Sequence, residues 1–181
     1  MAFTFEPTDL PGVIVISPQV YGDARGFFME TYKQSEFQAA GIEVALVQEN
    51  QSRSTEGTLR GLHYQREPRA QAKLVRVVYG AIYDVAVDIR HGSATFGRWV
   101  AMTLSAENRK SLYVPAGFAH GFCVTTDAAE VIYMTSDEYA PELEHGILWN
   151  DPALAIPWPV AEPTLSLRDM AWPPLGAGLP R

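Results

Sequence analysis

The chain has 181 residues, 47% of them apolar and 19% charged, enough to bury one sizeable core and close to the usual size of a single domain. A formal net charge of −7 argues against nucleic-acid or anionic-membrane partners, and with no run near the roughly 20 apolar residues of a membrane span and no basic leader or apolar signal core in Met1-Ala2-Phe3-Thr4-Phe5-Glu6-Pro7, the expectation is a cytoplasmic, unprocessed protein. The single cysteine, Cys123, excludes an intramolecular disulfide and a thiolate cluster, and its apolar setting reads as that of a buried, inert thiol.

Along the chain, an apolar segment at 12–16 comes first, and a short helix is predicted over 33–40, stopped by Gly41. Alternation of apolar and polar residues then predicts strands at 59–65, 73–79, 81–89, 98–104, 111–114, 118–125 and 131–135. Gly80, His91-Gly92-Ser93, residues 105–108, Pro115-Ala116-Gly117 and Thr126-Asp127 punctuate them, and no crossover helix long enough for a βαβ unit intervenes. The pattern points to an all-β, antiparallel jelly-roll sandwich or barrel. A second short helix is predicted at 167–171. Seven of the thirteen prolines fall in 152–181, a tail that should wrap over the barrel rather than form long strands. With no repeat, low-complexity run or linker, residues 1–181 are expected to form one domain.

Residues two apart share a strand face. Leu59, Gly61, His63 and Gln65 make one such set; Lys73, Val75 and Val77 a second; Phe118, His120 and Phe122 a third; Val131, Tyr133 and Thr135 a fourth. If all four faces point inward, His63, Lys73, His120 and Tyr133 converge. Six of the fourteen cations, Arg53, Arg60, Arg66, Arg69, Lys73 and Arg76, crowd into 24 residues, which suits a local anion pocket better than a polyanion track.

Several chemistries lose support from the residues themselves. Metal-binding barrels of the cupin type use His-x-His, a following Glu and a further His. Here the segment reads His63-Tyr64-Gln65, and His91, His120 and His145 are isolated, so no metal site is expected. No Gly-x-Gly-x-x-Gly, phosphate-cradling glycine loop with lysine, or Gly-x-Ser-x-Gly elbow is present. Proton transfer, by contrast, requires only a base near neutrality and groups that hold the developing charge. A histidine steadied by a carboxylate, a tyrosine supplying a proton from another side, and Lys73 or His120 beside an enolate oxygen would suffice.

A run of segments carries a resemblance over nearly the whole chain. They are Asp23-Ala24-Arg25-Gly26-Phe27-Phe28-Met29-Glu30, Gln48-Glu49-Asn50-Gln51-Ser52-Arg53-Ser54, Gly57-Thr58-Leu59-Arg60-Gly61-Leu62-His63-Tyr64-Gln65 and Gln71-Ala72-Lys73-Leu74-Val75-Arg76-Val77. Asp84-Val85-Ala86-Val87-Asp88-Ile89-Arg90, Pro115-Ala116-Gly117-Phe118-Ala119-His120-Gly121-Phe122, Tyr139-Ala140-Pro141, Glu144-His145-Gly146-Ile147-Leu148-Trp149-Asn150-Asp151-Pro152 and Leu165-Ser166-Leu167-Arg168-Asp169 follow in order. Together they resemble the dTDP-4-dehydrorhamnose 3,5-epimerase family, metal-free cupins of dTDP-L-rhamnose synthesis.

The resemblance implies a cofactor-independent epimerase acting on dTDP-4-dehydro-6-deoxy-D-glucose, whose 4-keto group acidifies the protons at C3 and C5. It makes His63 the general base, Asp169 the carboxylate orienting it, Tyr133 the proton donor on the opposite face and Lys73 the stabiliser of the enolate at O4. Arg25 and Arg60 would meet the diphosphate, where a guanidinium fork pairs well. Gln48 and Asn50 match nucleotide-binding amides, Phe28 and Glu30 lie near the thymidine, and His120, Tyr139, Glu144 and Arg168 match substrate-binding positions. Arg168 is a departure, since lysine is common there. The family is dimeric with exchanged N-terminal strands, which implies a homodimer whose sites borrow from the neighbour. A relative inverting only C3 or only C5, and a jelly roll that binds nucleotide sugar without turnover, are the alternatives. A 3,4-ketoisomerase would carry a different histidine pattern, and a pure binder has no need of His63, Tyr133 and Asp169 together.

Overall fold

A computed structural model describes residues 2–176. In chain order the strands are β1 (Phe3–Pro7), β2 (Ile14–Pro18), β3 (Val20–Asp23), β4 (Gly26–Met29), β5 (Gln48–Thr55), β6 (Leu59–Gln65), β7 (Lys73–Tyr79), β8 (Ala81–Asp88), β9 (Trp99–Ser105), β10 (Ser111–Val114), β11 (Phe118–Val124), β12 (Ala128–Thr135) and β13 (Glu144–Gly146). Two short helices, α1 (Gln34–Ala39) and α2 (Leu167–Ala171), complete the elements, with a 3₁₀ turn at Pro141–Leu143. A six-stranded sheet, β1-β2-β10-β7-β12-β5, faces a five-stranded one, β13-β6-β11-β8-β9, and β3-β4 stand apart as a hairpin. The result is the expected all-β sandwich of jelly-roll type.

The strands predicted at 59–65, 73–79 and 111–114 and the helix at 167–171 match to the residue. Those expected at 81–89 and 118–125 end one residue earlier, the one at 98–104 is shifted by one, and β12 begins at Ala128 rather than 131. β1 to β5 and β13 lay outside the predicted strands.

Three apolar layers hold the sandwich. Between the sheets, Val75, Val77, Leu112, Val114 and Val131 interleave with Ile82, Ala86, Leu104, Phe118, Phe122 and Val124. The outer face of the six-stranded sheet is covered by α1, whose Phe37 packs with Phe3, Ile16, Ile42 and Leu74. The outer face of the five-stranded sheet (Leu62, Tyr64, Val85, Val87, Ala119) is covered by the proline-rich tail through Ile147, Leu154, Ile156 and Trp158. Indole N–H groups pin that tail: Trp99 Nε1 donates to the Leu154 carbonyl and Trp158 Nε1 to that of Trp149, both at 2.8 Å. The tail wraps as expected, and residues 177–181 lie outside the described part.

One irregularity decides which side chains share a face. On β11, His120 and Phe122 are two apart, yet their partners on β6, His63 and Arg60, are three apart, so β6 carries a bulge. It occurs at Gly61, whose φ of 132° is open to glycine; a Cβ there would meet Gly121 Cα at 2.5 Å. The simple period-two set Leu59, Gly61, His63, Gln65 is thereby corrected. Past the bulge the face inverts, and Arg60 joins His63 in the cleft while Leu59 is fully buried on the other side.

Candidate active site

The cleft opens between the two sheets and has two adjoining lobes of about 290 and about 570 Å³. His63, Lys73, Tyr133 and Glu144 line both. β6 and β11 present His63 and His120, directly cross-strand from each other. From the opposite sheet, β7 presents Lys73 and β12 presents Tyr133.

His63 is fixed from behind by α2. Ser166 caps that helix, its Oγ accepting from the Asp169 backbone N–H at 3.1 Å and donating to Asp169 Oδ2 at 2.9 Å, an arrangement akin to a capping box. The other oxygen, Oδ1, lies 2.5 Å from His63 Nε2. Burial works against the Asp169 anion, but the hydrogen bonds from His63 and Ser166 outweigh it and hold the carboxyl below its usual range. With Nε2–H committed to Asp169, the His63 lone pair is left on Nδ1. This tautomer follows from the hydrogen bond.

Lys73 is desolvated, which pushes its ammonium down to about 8 despite the opposing pull of Glu144 and Asp84. Its Nζ donates to the His63 carbonyl at 3.3 Å, tying the two sheets together at the cleft. Burial raises the Tyr133 phenol, with Arg60 opposing and Glu144 and Tyr139 reinforcing, so the phenol keeps its proton well above neutrality. His120 Nε2 meets Asp84 Oδ1 at 2.7 Å in a second, buried histidine–carboxylate pair. Asp84 Oδ2 has no hydrogen-bond partner.

The rim is polar. Glu144 Oε2 accepts from the Tyr139 hydroxyl at 2.7 Å and from Arg168, whose guanidinium is held in its charged form by Tyr139 first and then by Glu144. Gln48 donates through Nε2 to Asn50 Oδ1 at 2.9 Å and accepts from the Tyr139 backbone at 2.9 Å. Arg60 donates from Nε to Ser54 Oγ at 3.0 Å.

Eleven sequence-predicted residues therefore border one cleft: His63, Lys73, Tyr133, Asp169, Gln48, Asn50, Arg60, His120, Tyr139, Glu144 and Arg168. Arg25, Phe28 and Glu30 do not. Arg25 and Phe28 line a separate concavity on the β3–β4 hairpin, and Phe28 is 66% exposed. Arg25 is engaged with Asp23, Glu30 faces Lys33, and Arg109 stacks over Phe27 at 4.4 Å, fixing the hairpin to the body. Asp84, Ser166, Gln65 and Trp172 were not singled out from sequence. Ser166 alone had a local signal, the Ser-x-x-Asp spacing. Cys123 is buried, with its thiol pushed up to about 11 by desolvation. Among the described residues, no three His, Cys, Asp or Glu side chains group as metal ligands, and no helix is long and apolar enough to cross a membrane.

The family model for dTDP-4-dehydrorhamnose 3,5-epimerase matches residues 7–177. The chain is 55% identical to the dTDP-4-dehydrorhamnose 3,5-epimerase of Shigella flexneri over 90% of its own length and 91% of the relative's. It superposes on the crystal structure of a Legionella pneumophila dTDP-6-deoxy-D-glucose-3,5-epimerase in complex with dTDP-4-keto-L-rhamnose, with a TM-score of 0.93, 45% identity and coverage of 97% and 94% of the two chains. A 3′-monoepimerase from Streptomyces bikiniensis in complex with dTDP-quinovose matches with a TM-score of 0.88 and 40% identity, covering 94% of this chain and 87% of that one. Agreement in sequence and backbone over this much of its length leaves one assignment: the chain belongs to the dTDP-4-dehydrorhamnose 3,5-epimerase family and is an isomerase.

Proposed function

We propose that the protein inverts C3 and C5 of dTDP-4-dehydro-6-deoxy-D-glucose, giving dTDP-4-dehydro-L-rhamnose. The observation that carries this reading is the placement of a carboxylate-backed histidine and a protonated tyrosine on opposite sheets of one cleft, with an ammonium beside them. In this reading, His63 Nδ1 takes the proton from the carbon next to the ketone. The C–H electron pair moves into the ring and the charge settles on O4, where Lys73 donates. Tyr133 then delivers its proton from the other face, inverting the centre, and solvent resets both residues. The substrate's own carbonyl is the electron sink, so the chemistry calls for no cofactor.

The nucleotide half follows from the rim. Arg60 and Arg168 supply guanidinium donors for the diphosphate, His120, Tyr139 and Glu144 border the sugar, and Gln48 and Asn50 offer amides to the base. Arg25, Phe28 and Glu30, which lie off this cleft in their own chain, are assigned to the cleft of a second copy in a homodimer with exchanged N-terminal strands. The whole chain acts as one catalytic domain in this reading. An anionic sugar nucleotide does not cross membranes unaided, which supports a cytoplasmic location.

Proton NMR of dTDP-4-dehydro-6-deoxy-D-glucose in heavy water tests the proposal. Loss of both the C3 and C5 signals, with an L-sugar formed once a downstream reductase is added, is expected. Loss of one signal would assign the single-centre activity that names the Streptomyces relative, and loss of neither would leave a binding protein. The higher identity to the Shigella enzyme, 55% against 40%, favours inversion at both centres.

A further inference from the structure

Residues 137–140, between β12 and the 3₁₀ turn, cross from the six-stranded sheet to the five-stranded one outside any strand, at the end of the cleft where Tyr139 stands. Such a segment has no ladder to satisfy its backbone, and side-chain amides take the ladder's place. Gln71 Nε2 donates to the Asp137 carbonyl at 2.8 Å, and Gln48 Oε1 accepts from the Tyr139 N–H at 2.9 Å. Gln65, which is buried, does more. Its Nε2 donates to the carbonyls of Arg69 at 2.5 Å and Glu138 at 3.1 Å, and its Oε1 accepts from the Ala140 N–H at 2.8 Å. Two donors and an acceptor in one buried side chain are thus met by two carbonyls and an N–H, a set that no other side chain of that length supplies.

What this amide holds faces the cleft. Glu138 and Ala140 flank Tyr139, whose hydroxyl donates to Glu144 Oε2 at 2.7 Å, and the same oxygen takes Arg168 from α2. Glu144 is itself the direct cross-strand partner of Gln65, since β13 pairs with β6. One residue therefore fixes both ends of the Tyr139–Glu144 contact, the tyrosine's backbone through its amide and the carboxylate's strand through its main chain. It does so two residues beyond His63 on β6, and both side chains line the same lobe of the cleft.

We propose that Gln65 is a positioning residue for substrate binding: by holding 138–140 against β6 and β13, it sets the Tyr139 ring and the Glu144 carboxylate where the nucleotide sugar enters. The role concerns affinity rather than proton transfer, because the three hydrogen bonds of the amide run to backbone and leave His63, Lys73 and Tyr133 untouched. A buried amide removed from such a network leaves backbone groups unpaired, and the segment relaxes to find other partners.

This inference rests on the cleft being the nucleotide-sugar site, and its test keeps the two ideas apart. Gln65→Met preserves the length of the side chain and removes all three hydrogen bonds without burying a charge. In the free protein the Tyr139 amide, followed by hydrogen exchange, should then exchange at least about tenfold faster. KM for dTDP-4-dehydro-6-deoxy-D-glucose should rise roughly tenfold with kcat within about threefold of the wild type. In a Tyr139→Ala background the same substitution should raise KM by less than about twofold more, because the group it positions is gone. Gln65→Glu, which keeps the acceptor for Ala140 and loses both donors, carries the same readouts if the first variant does not fold. Unchanged Tyr139 exchange in a folded variant would overturn the inference, and so would a KM effect that multiplies in full with that of Tyr139→Ala. Lower thermal stability and kcat with an unchanged KM would likewise reduce Gln65 to a loop anchor. A wild type that leaves the C3 and C5 protons inert would sink only the epimerase reading; the Tyr139 exchange and the Kd for the unreacted sugar nucleotide would then decide the role of Gln65.

Discussion

Lys73 shows how a single residue is set by opposed forces. Desolvation favours the neutral amine, while Glu144 and Asp84 favour the ammonium, and desolvation wins by enough to bring the group down to about 8. Near neutrality the side chain is still charged and poorly hydrated, the condition in which an ammonium best stabilises a developing enolate. Turnover should therefore fall as pH rises through about 8, when the proton is lost. The unfolded chain holds that proton up to its ordinary value, so the penalty of the folded ammonium is fully present below about pH 8 and vanishes as pH rises further. Lys73→Met should cost roughly 10²-fold or more in kcat and yet raise the urea midpoint at neutral pH. Lowered activity with lowered stability would contradict this account. Tyr133 makes the complementary case, because burial keeps its proton in place. Tyr133→Phe should abolish inversion while His63 still exchanges the acidic protons with solvent on one face. Deuterium would then enter the recovered D-sugar with no L-sugar formed, an outcome read directly by NMR.

At the scale of elements, the cleft depends on strands that depart from simple patterns. β5 reads Gln48-Glu49-Asn50-Gln51-Ser52-Arg53-Ser54-Thr55, polar throughout, so no apolar alternation marks it as a strand. Its period of two is nevertheless intact: Gln48, Asn50 and Ser52 face the cleft and Ser54 holds Arg60, so function replaced the hydrophobic signal. β7, β10 and β11 were legible because, Lys73 and His120 apart, their inward residues are apolar and their turns carry glycine or proline. The bulge in β6 was not legible, since one extra residue leaves no trace in composition, and it alone brings Arg60 and His63 to one face. Gly61→Ala tests its necessity. With φ at 132° and Gly121 2.5 Å from the new methyl, the substitution should destabilise the fold by about 2–4 kcal/mol. The loss in kcat should exceed what the unfolded fraction explains, because Arg60 and His63 would separate. Wild-type stability by urea titration would show that the bulge tolerates a side chain.

At the scale of the whole molecule, a chain of net charge −7 places Arg60, Lys73 and Arg168 on one cleft, where they can meet an anionic nucleotide sugar. Of the cationic run at 53–76, Arg53 and Arg69 pair instead with Glu130 and Asp137, and Arg76 lies off the cleft. His63, Lys73, His120 and Tyr133 could be gathered from strand periodicity, whereas Asp169 is 106 residues from His63 in sequence and became visible only through family resemblance. The hairpin residues remain off the cleft of their own chain because β3 and β4 project away from the sandwich, exposing Tyr21, Phe27 and Phe28. An aromatic, arginine-bearing hairpin of this kind fits a neighbour better than solvent. In the proposed dimer each cleft combines His63 of one chain with Arg25 and Phe28 of the other. Arg25→Ala and His63→Asn should each be close to inactive alone. When the two are unfolded together and refolded as a 1:1 mixture, half of the dimers carry both lesions on separate chains. In those dimers one cleft holds both lesions and the other holds neither. About a quarter of the wild-type activity should return. If Arg25 instead served the cleft of its own chain, every cleft in every dimer would hold one lesion, and mixing would recover nothing.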